Sequence, residues 1–133
     1  MRALFFLILI LPSVRAAHFP RLDQFTTDQR IAACQKAIAA TPADPSALED
    51  LAAAYLQKMR ETTDFGYVER AEKLVAQALV RKPGDFEALI LTNEIELNRH
   101  HFAQVLSNTG RLVKTAPEDA RLRLPLARTF GGA

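Results

Sequence analysis

Tryptophan is absent from this 133-residue chain, tyrosine occurs twice and cysteine once. A single cysteine excludes an internal disulfide framework and a cysteine-based zinc site. Glycine is scarce at five residues, and none forms a phosphate-cradling loop: Gly110 is isolated, and Gly131-Gly132 lies in the last three positions. No long basic run occurs and the formal charge is only +2, so the electrostatic footprint of a nucleic-acid binder is missing. Sustained apolar–polar alternation is missing too, which argues against a sheet. What is present is an ordinary globular balance, 49% apolar and 24% charged in 14.8 kDa, enough for one domain.

The N-terminal stretch has the pattern of a signal peptide. Arg2 supplies a positive start, Ala3 to Leu11 is an uninterrupted apolar run, and Pro12 ends any helix there. Val14-Arg15-Ala16 offers a cleavage site after Ala16. The run is far shorter than the ~20 apolar residues a spanning helix needs. The expected division is a signal peptide at 1–16, a linker at 17–26, a helical domain at 27–130 and a tail at 131–133. Losing Arg2 and Arg15 leaves 15 of the 17 basic residues, equal to the 15 acidic ones. The expected location is outside the cytoplasm: periplasm, cell surface or secreted, with no stable membrane span after cleavage. Ile31-Ala32-Ala33-Cys34 imitates a lipoprotein processing box, but the polar stretch from His18 to Arg30 separates it from the apolar run. Cys34 reads instead as a small buried residue on a helix.

A recurring phrase organises the rest. Arg81-Lys82-Pro83-Gly84-Asp85 and Thr115-Ala116-Pro117-Glu118-Asp119 place their prolines 34 residues apart. Thr41-Pro42-Ala43-Asp44 is a third copy, 41 residues before Pro83, seven more than that spacing. In each, a proline closes one helix and an aspartate starts the next. Helical periodicity fills the intervals. Residues 27–40 carry Ile31, Cys34 and Ile38, with Thr26 and Gln29 as a capping box. Residues 45–60 carry Leu48, Leu51, Ala52, Tyr55 and Met59; residues 65–81 carry Val68, Ala71, Val75, Ala78 and Leu79. Residues 86–98 and 101–114 complete the series with Phe86, Leu89, Ile90, Leu97 and with Phe102, Val105, Leu106, Leu112, Val113.

Leu48, Leu51, Ala52 and Tyr55, followed by Ala71, Val75, Ala78 and Pro83, resemble the tetratricopeptide repeat family over residues 27 to about 119. The resemblance implies an all-α array of antiparallel helix hairpins, an α-solenoid of about two full repeats with partial flanking helices. Small residues there let paired helices approach. The sequence departs from the pattern in three places. Seven extra residues lie around Arg60 to Gly66, expected to lengthen both flanking helices by about one turn, with Asp64 capping the second. Thr92, Asn93 and Glu96 replace the second repeat's Leu, small residue and Tyr. A further helix begins near Asp119 with Leu126, Ala127 and Phe130 in register, interrupted by Pro125. Leu122, Leu124, Leu126 and Phe130 make a poor polar cap, so the expectation is a shortened array or self-association through the C-terminal end.

No catalytic constellation emerges. Cys34 has no histidine nearby in sequence, and His100-His101 diverge on a helix by about 100°, with Glu96 adding half a metal site at most. No enzyme, cofactor or metal is expected. The resemblance implies a concave groove lined by Ser46, Glu49, Ala53, Leu56 and Gln57, then Glu87, Ile90, Glu94, Leu97 and Asn98. Carboxylates mixed with aliphatics suit a basic or amphipathic peptide. The expected function is a non-catalytic protein–protein interaction scaffold of the cell envelope. The alternative is the accessory or truncated portion of a longer exported enzyme or assembly factor.

Overall fold

The structure, a computed structural model, describes residues 25–122. The expected signal peptide, nearly all of the linker, Leu126 and Phe130, and the tail lie outside the described residues. Within them the chain is all-helical, with five helices packed on one another and no strand: α1 Thr27–Ala40, α2 Pro45–Thr62, α3 Gly66–Arg81, α4 Phe86–Asn98 and α5 Phe102–Thr115. A 3-10 turn follows at Ala120–Leu122.

Local chemistry sets the boundaries. The Thr26 capping box forms as the sequence predicts: Gln29 N–H donates to Thr26 Oγ1 at 3.2 Å, and Thr26 N–H donates to Gln29 Oε1 at 2.9 Å. The three proline phrases close with the same set of hydrogen bonds. Thr41, Lys82 and Ala116 end α1, α3 and α5 with φ near −135° to −142° and ψ of 74–83°, the extended backbone that a following proline requires. Each next aspartate, Asp44, Asp85 or Asp119, then donates its N–H to that residue's carbonyl at 3.1–3.2 Å. Its carboxylate accepts the N–H two residues on, at Ser46, Glu87 or Arg121, at 2.9–3.0 Å. Asp64 repeats this last contact with Gly66 at 2.9 Å, but the exposed Phe65, not Asp64, holds the N-cap position of α3. At Gly84 the turn takes φ of +80°, which glycine adopts without penalty, whereas Ala43 and Glu118 at the equivalent points have no positive φ.

The seven extra residues are shared unequally, in contrast to the even lengthening expected. Helix α2 has 18 residues against 13 in α4, and α3 has 16 against 14 in α5. The two connections keep the same length. Five added residues overshoot one turn and two add barely half, but together they return the faces to phase.

Each helix packs on the next in sequence, and α2 also packs on α4. The core is centred on α2, α3 and α4. Leu48, Ala52, Leu56 and Met59 of α2 meet Val68, Ala71, Val75 and Ala78 of α3, with Ala88, Leu91 and Ile95 from α4. Ala52, Ala71 and Ala78 are wholly buried, as close helix crossings demand of small residues. In contrast, α1 contains no buried residue. Ile31, Cys34 and Ile38 are only half-buried, with Ile38 against the core, and polar contacts add to the hold: Lys58 bridges Asp28 at 2.7 Å, Thr27 donates to Glu61 at 2.6 Å, and Gln35 donates to the Tyr55 hydroxyl at 3.4 Å.

Candidate interaction surface

Two parallel helices, α2 and α4, carry the ten residues singled out in the sequence. Ser46 and Glu87 are exposed, and Ala53, Gln57, Ile90, Glu94 and Asn98 are half-buried. Glu49, Leu56 and Leu97 are buried. Leu56 is fully enclosed within the core and Leu97 is 7% exposed, so neither offers apolar contact to a partner lying on the surface. The physical reason is helical phase. Leu56 stands four and eight residues beyond Ala52 and Leu48, which puts it on the core stripe rather than beside it. Leu97 likewise follows buried Asn93 by one turn.

The expected acidic lining is largely neutralised by arginines of the same chain. Arg60 on α2 pairs with Glu94 on α4, and Arg121 grips both oxygens of Glu87 at 2.6 and 2.9 Å. Both pairs span 34 residues, as does Thr27 with Glu61. Arg60 also donates to Gln57 Oε1 at 2.7 Å, and Gln57 donates to Glu61 at 2.9 Å, so a continuous polar network joins α1, α2 and α4. Arg121 holds Asp119 as well, at 2.6 Å, and this drives the Asp119 carboxyl down to about 2. The cations were the signal that sequence reading passed over. An arginine one repeat from each glutamate was visible at 60/94 and 87/121.

Glu49 differs from the other two. Its Oε1 is buried without a hydrogen-bond partner. Burial pushes its carboxyl above the usual range, and Asp85 and Glu87 push it further, against a weaker opposing pull from Lys82. Lys82 itself bridges Asp85 at 2.6 Å. Glu49 is therefore a half-compensated charge between the N-terminal turns of α2 and α4, not an open anchor.

The remaining chemistry-bearing residues disperse. His100 and His101 are both exposed in the α4–α5 turn, where His100 adopts φ of +61°. His101 Nδ1 lies 2.6 Å from Glu96, while Glu94 faces Arg60 instead. Among the described residues no three His, Cys, Asp or Glu side chains gather as a metal site would require. Cys34 is half-buried, and burial foremost raises its thiol, the opposite of what activates a nucleophile. No helix among the described residues is long and apolar enough to cross a membrane. No family model matches the chain, and neither a curated protein nor a solved structure matches it.

Proposed function

We propose that this chain is a non-catalytic scaffold of tetratricopeptide type, an α-solenoid, that is exported and holds a peptide or protein segment along α2 and α4. The observation that carries the reading is the register of the contacts. The same turn and capping hydrogen bonds occur three times, and Arg60–Glu94 and Glu87–Arg121 join residues 34 apart. Such translation-related contacts are what a stack of equivalent units produces, each touching mainly its neighbour.

The ion pairs also bear on the kind of partner proposed. With Glu87 and Glu94 paired to arginines, the surface is charge-balanced and does not act as a trap for a basic ligand. Ile90 and Ala53 supply apolar contact, and the amides of Gln57 and Asn98 retain hydrogen-bonding capacity for a peptide backbone. An amphipathic segment suits that lining. Export remains part of the proposal and rests on residues 1–16.

Photo-crosslinking in cells tests the surface. A crosslinker at Gln57 or Asn98 is expected to capture the partner, and one at Gln77 on the exposed side of α3 is not. Capture through Gln77 alone overturns the groove reading. N-terminal sequencing of the same material is expected to begin at Ala17, within a residue or two. Intact Met1 in the cytosol removes export.

A further inference from the structure

Counted back from the proline that follows each, α1, α3 and α5 place three residues at equivalent points. On α3 these are Ala71, Val75 and Ala78, at 0%, 3% and 0% exposure; on α5 they are Val105, Thr109 and Leu112, at 0%, 0% and 4%. In both cases the preceding helix packs on the one that carries them. On α1 the equivalents are Arg30 and Cys34, half-buried, and Ala37, exposed. Among the described residues, no preceding helix covers this face as one covers the other two. Beside it, between α1 and the start of α2, runs a cleft of about 270 Å³ with Ala33, Cys34 and Ala37 on one wall and Asp44 and Asp50 on its rim. Neither aspartate makes an ion pair among the described residues.

The chain itself carries a segment of matching chemistry. Arg123, Leu124, Leu126 and Arg128 follow the last described turn, and Leu126, Ala127 and Phe130 stand where Leu51, Ala52 and Tyr55 stand in α2. That segment leaves from the turn packed on α5, whereas α1 packs on α2. We propose that the acidic-rimmed cleft on α1 receives the basic, leucine-rich segment 123–130 of a second copy, so that copies join tail to head. Leucines cover the alanine wall and the arginines meet Asp44 and Asp50. The contact uses different surfaces on the two partners, so it builds open chains of copies rather than closed pairs. The inference rests on the repeat reading, because the equivalence of α1 with α3 and α5 defines which face is bare.

Sedimentation of the exported chain, residues 17–133, tests it. The parent is expected to associate with rising concentration and to dissociate with added salt. Asp50→Lys and Leu126→Asp, made separately, are each expected to weaken association by about tenfold or more. Asp50 is exposed, and circular dichroism of both variants is expected to match the parent. Mixing the two variants should restore association but halt it at pairs, since each retains one working end. A peptide of residues 120–130 should shift the amide resonances of Ala33, Cys34 and Ala37 in the parent. The proposal is overturned by a parent that stays monomeric, by variants that associate unchanged, by a mixture that does not pair, or by peptide shifts elsewhere. A monomeric parent that still crosslinks its partner through Gln57 overturns this inference alone and leaves the scaffold reading standing.

Discussion

Asn93 on α4 donates its side-chain amide to the Thr109 hydroxyl on α5 at 3.0 Å, and both side chains are sealed from solvent. They occupy the positions that Ala52 and Val75 fill in the preceding hairpin. Two polar departures from an apolar pattern thus form a single buried contact. The hydrogen bond offsets the desolvation of one donor, while Asn93 Oδ1 stays without a partner.

Breaking that contact from one side should therefore cost more than removing it whole. Thr109→Val is expected to destabilise the fold by about 1–3 kcal/mol, because the Asn93 amide is left buried and unpaired. Adding Asn93→Leu should recover most of that loss. Urea denaturation of the parent, both single variants and the double variant measures the coupling. Purely additive losses would contradict this account.

The pair formed by Arg60 and Glu94 is half-exposed, at 49% and 35% of the side chains. Arg60→Ala is accordingly expected to cost only about 0.2–1 kcal/mol. The exchanged variant, Arg60→Glu with Glu94→Arg, should recover part of it. A double-mutant cycle by thermal or urea unfolding reads the interaction.

Overpacking separates the two faces of α3. Ala78 is wholly buried against α2, whereas its neighbour Gln77 is exposed. Ala78→Leu should destabilise by ~1–3 kcal/mol, and Gln77→Leu should fall within about 0.5 kcal/mol of the parent. Equal effects at the two sites would place the helix interface elsewhere.

Glu49 gives the stability a pH dependence of defined sign. Its folded-state value is raised, chiefly by burial and then by Asp85 and Glu87, so the folded chain favours the protonated form. That stabilisation is complete below the ordinary glutamate range and is lost as pH rises through the raised value. Glu49→Gln is thus expected to be more stable than the parent at neutral pH, with the gap closing as pH falls into the carboxylate range. Unfolding curves of the two proteins across pH measure the difference. A gap independent of pH would show that the Glu49 charge is not its source.

The helices were readable because their punctuation is local. Thr26 with Gln29, and Asp44 with Pro45, fix helix starts through contacts two or three residues long, and α1 and α4 fall at 27–40 and 86–98 as the sequence predicts. The seven-residue insertion was visible, but its division between α2 and α3 depends on where Thr63 turns left-handed at φ of +57°. The surface was less readable. Leu56 was placed in the groove by family position, although its spacing from Leu48 and Ala52 already put it on the core stripe. Asn93 and Thr109 could be recognised as departures, yet their union joins residues on different helices, which periodicity within either helix does not encode. Arg60 and Arg121 stand 34 residues from the glutamates they hold, a spacing legible in the sequence, but that such residues face each other follows only from how the helices pack.

Helix α1 is fastened by polar contacts and by Ile38, and it buries no residue completely, so detaching it uncovers less apolar surface than parting α2 from α3. An opening of that kind responds weakly to denaturant, because sensitivity scales with the area exposed. Amide exchange in dilute urea should consequently divide the molecule. Protons of α1 would exchange through small excursions nearly indifferent to urea, and those of α2 and α3 only through openings that expose the core. The first helix then behaves as a latch: it swings away without unravelling the body, and whatever settles on it shifts an equilibrium that the rest of the fold scarcely feels.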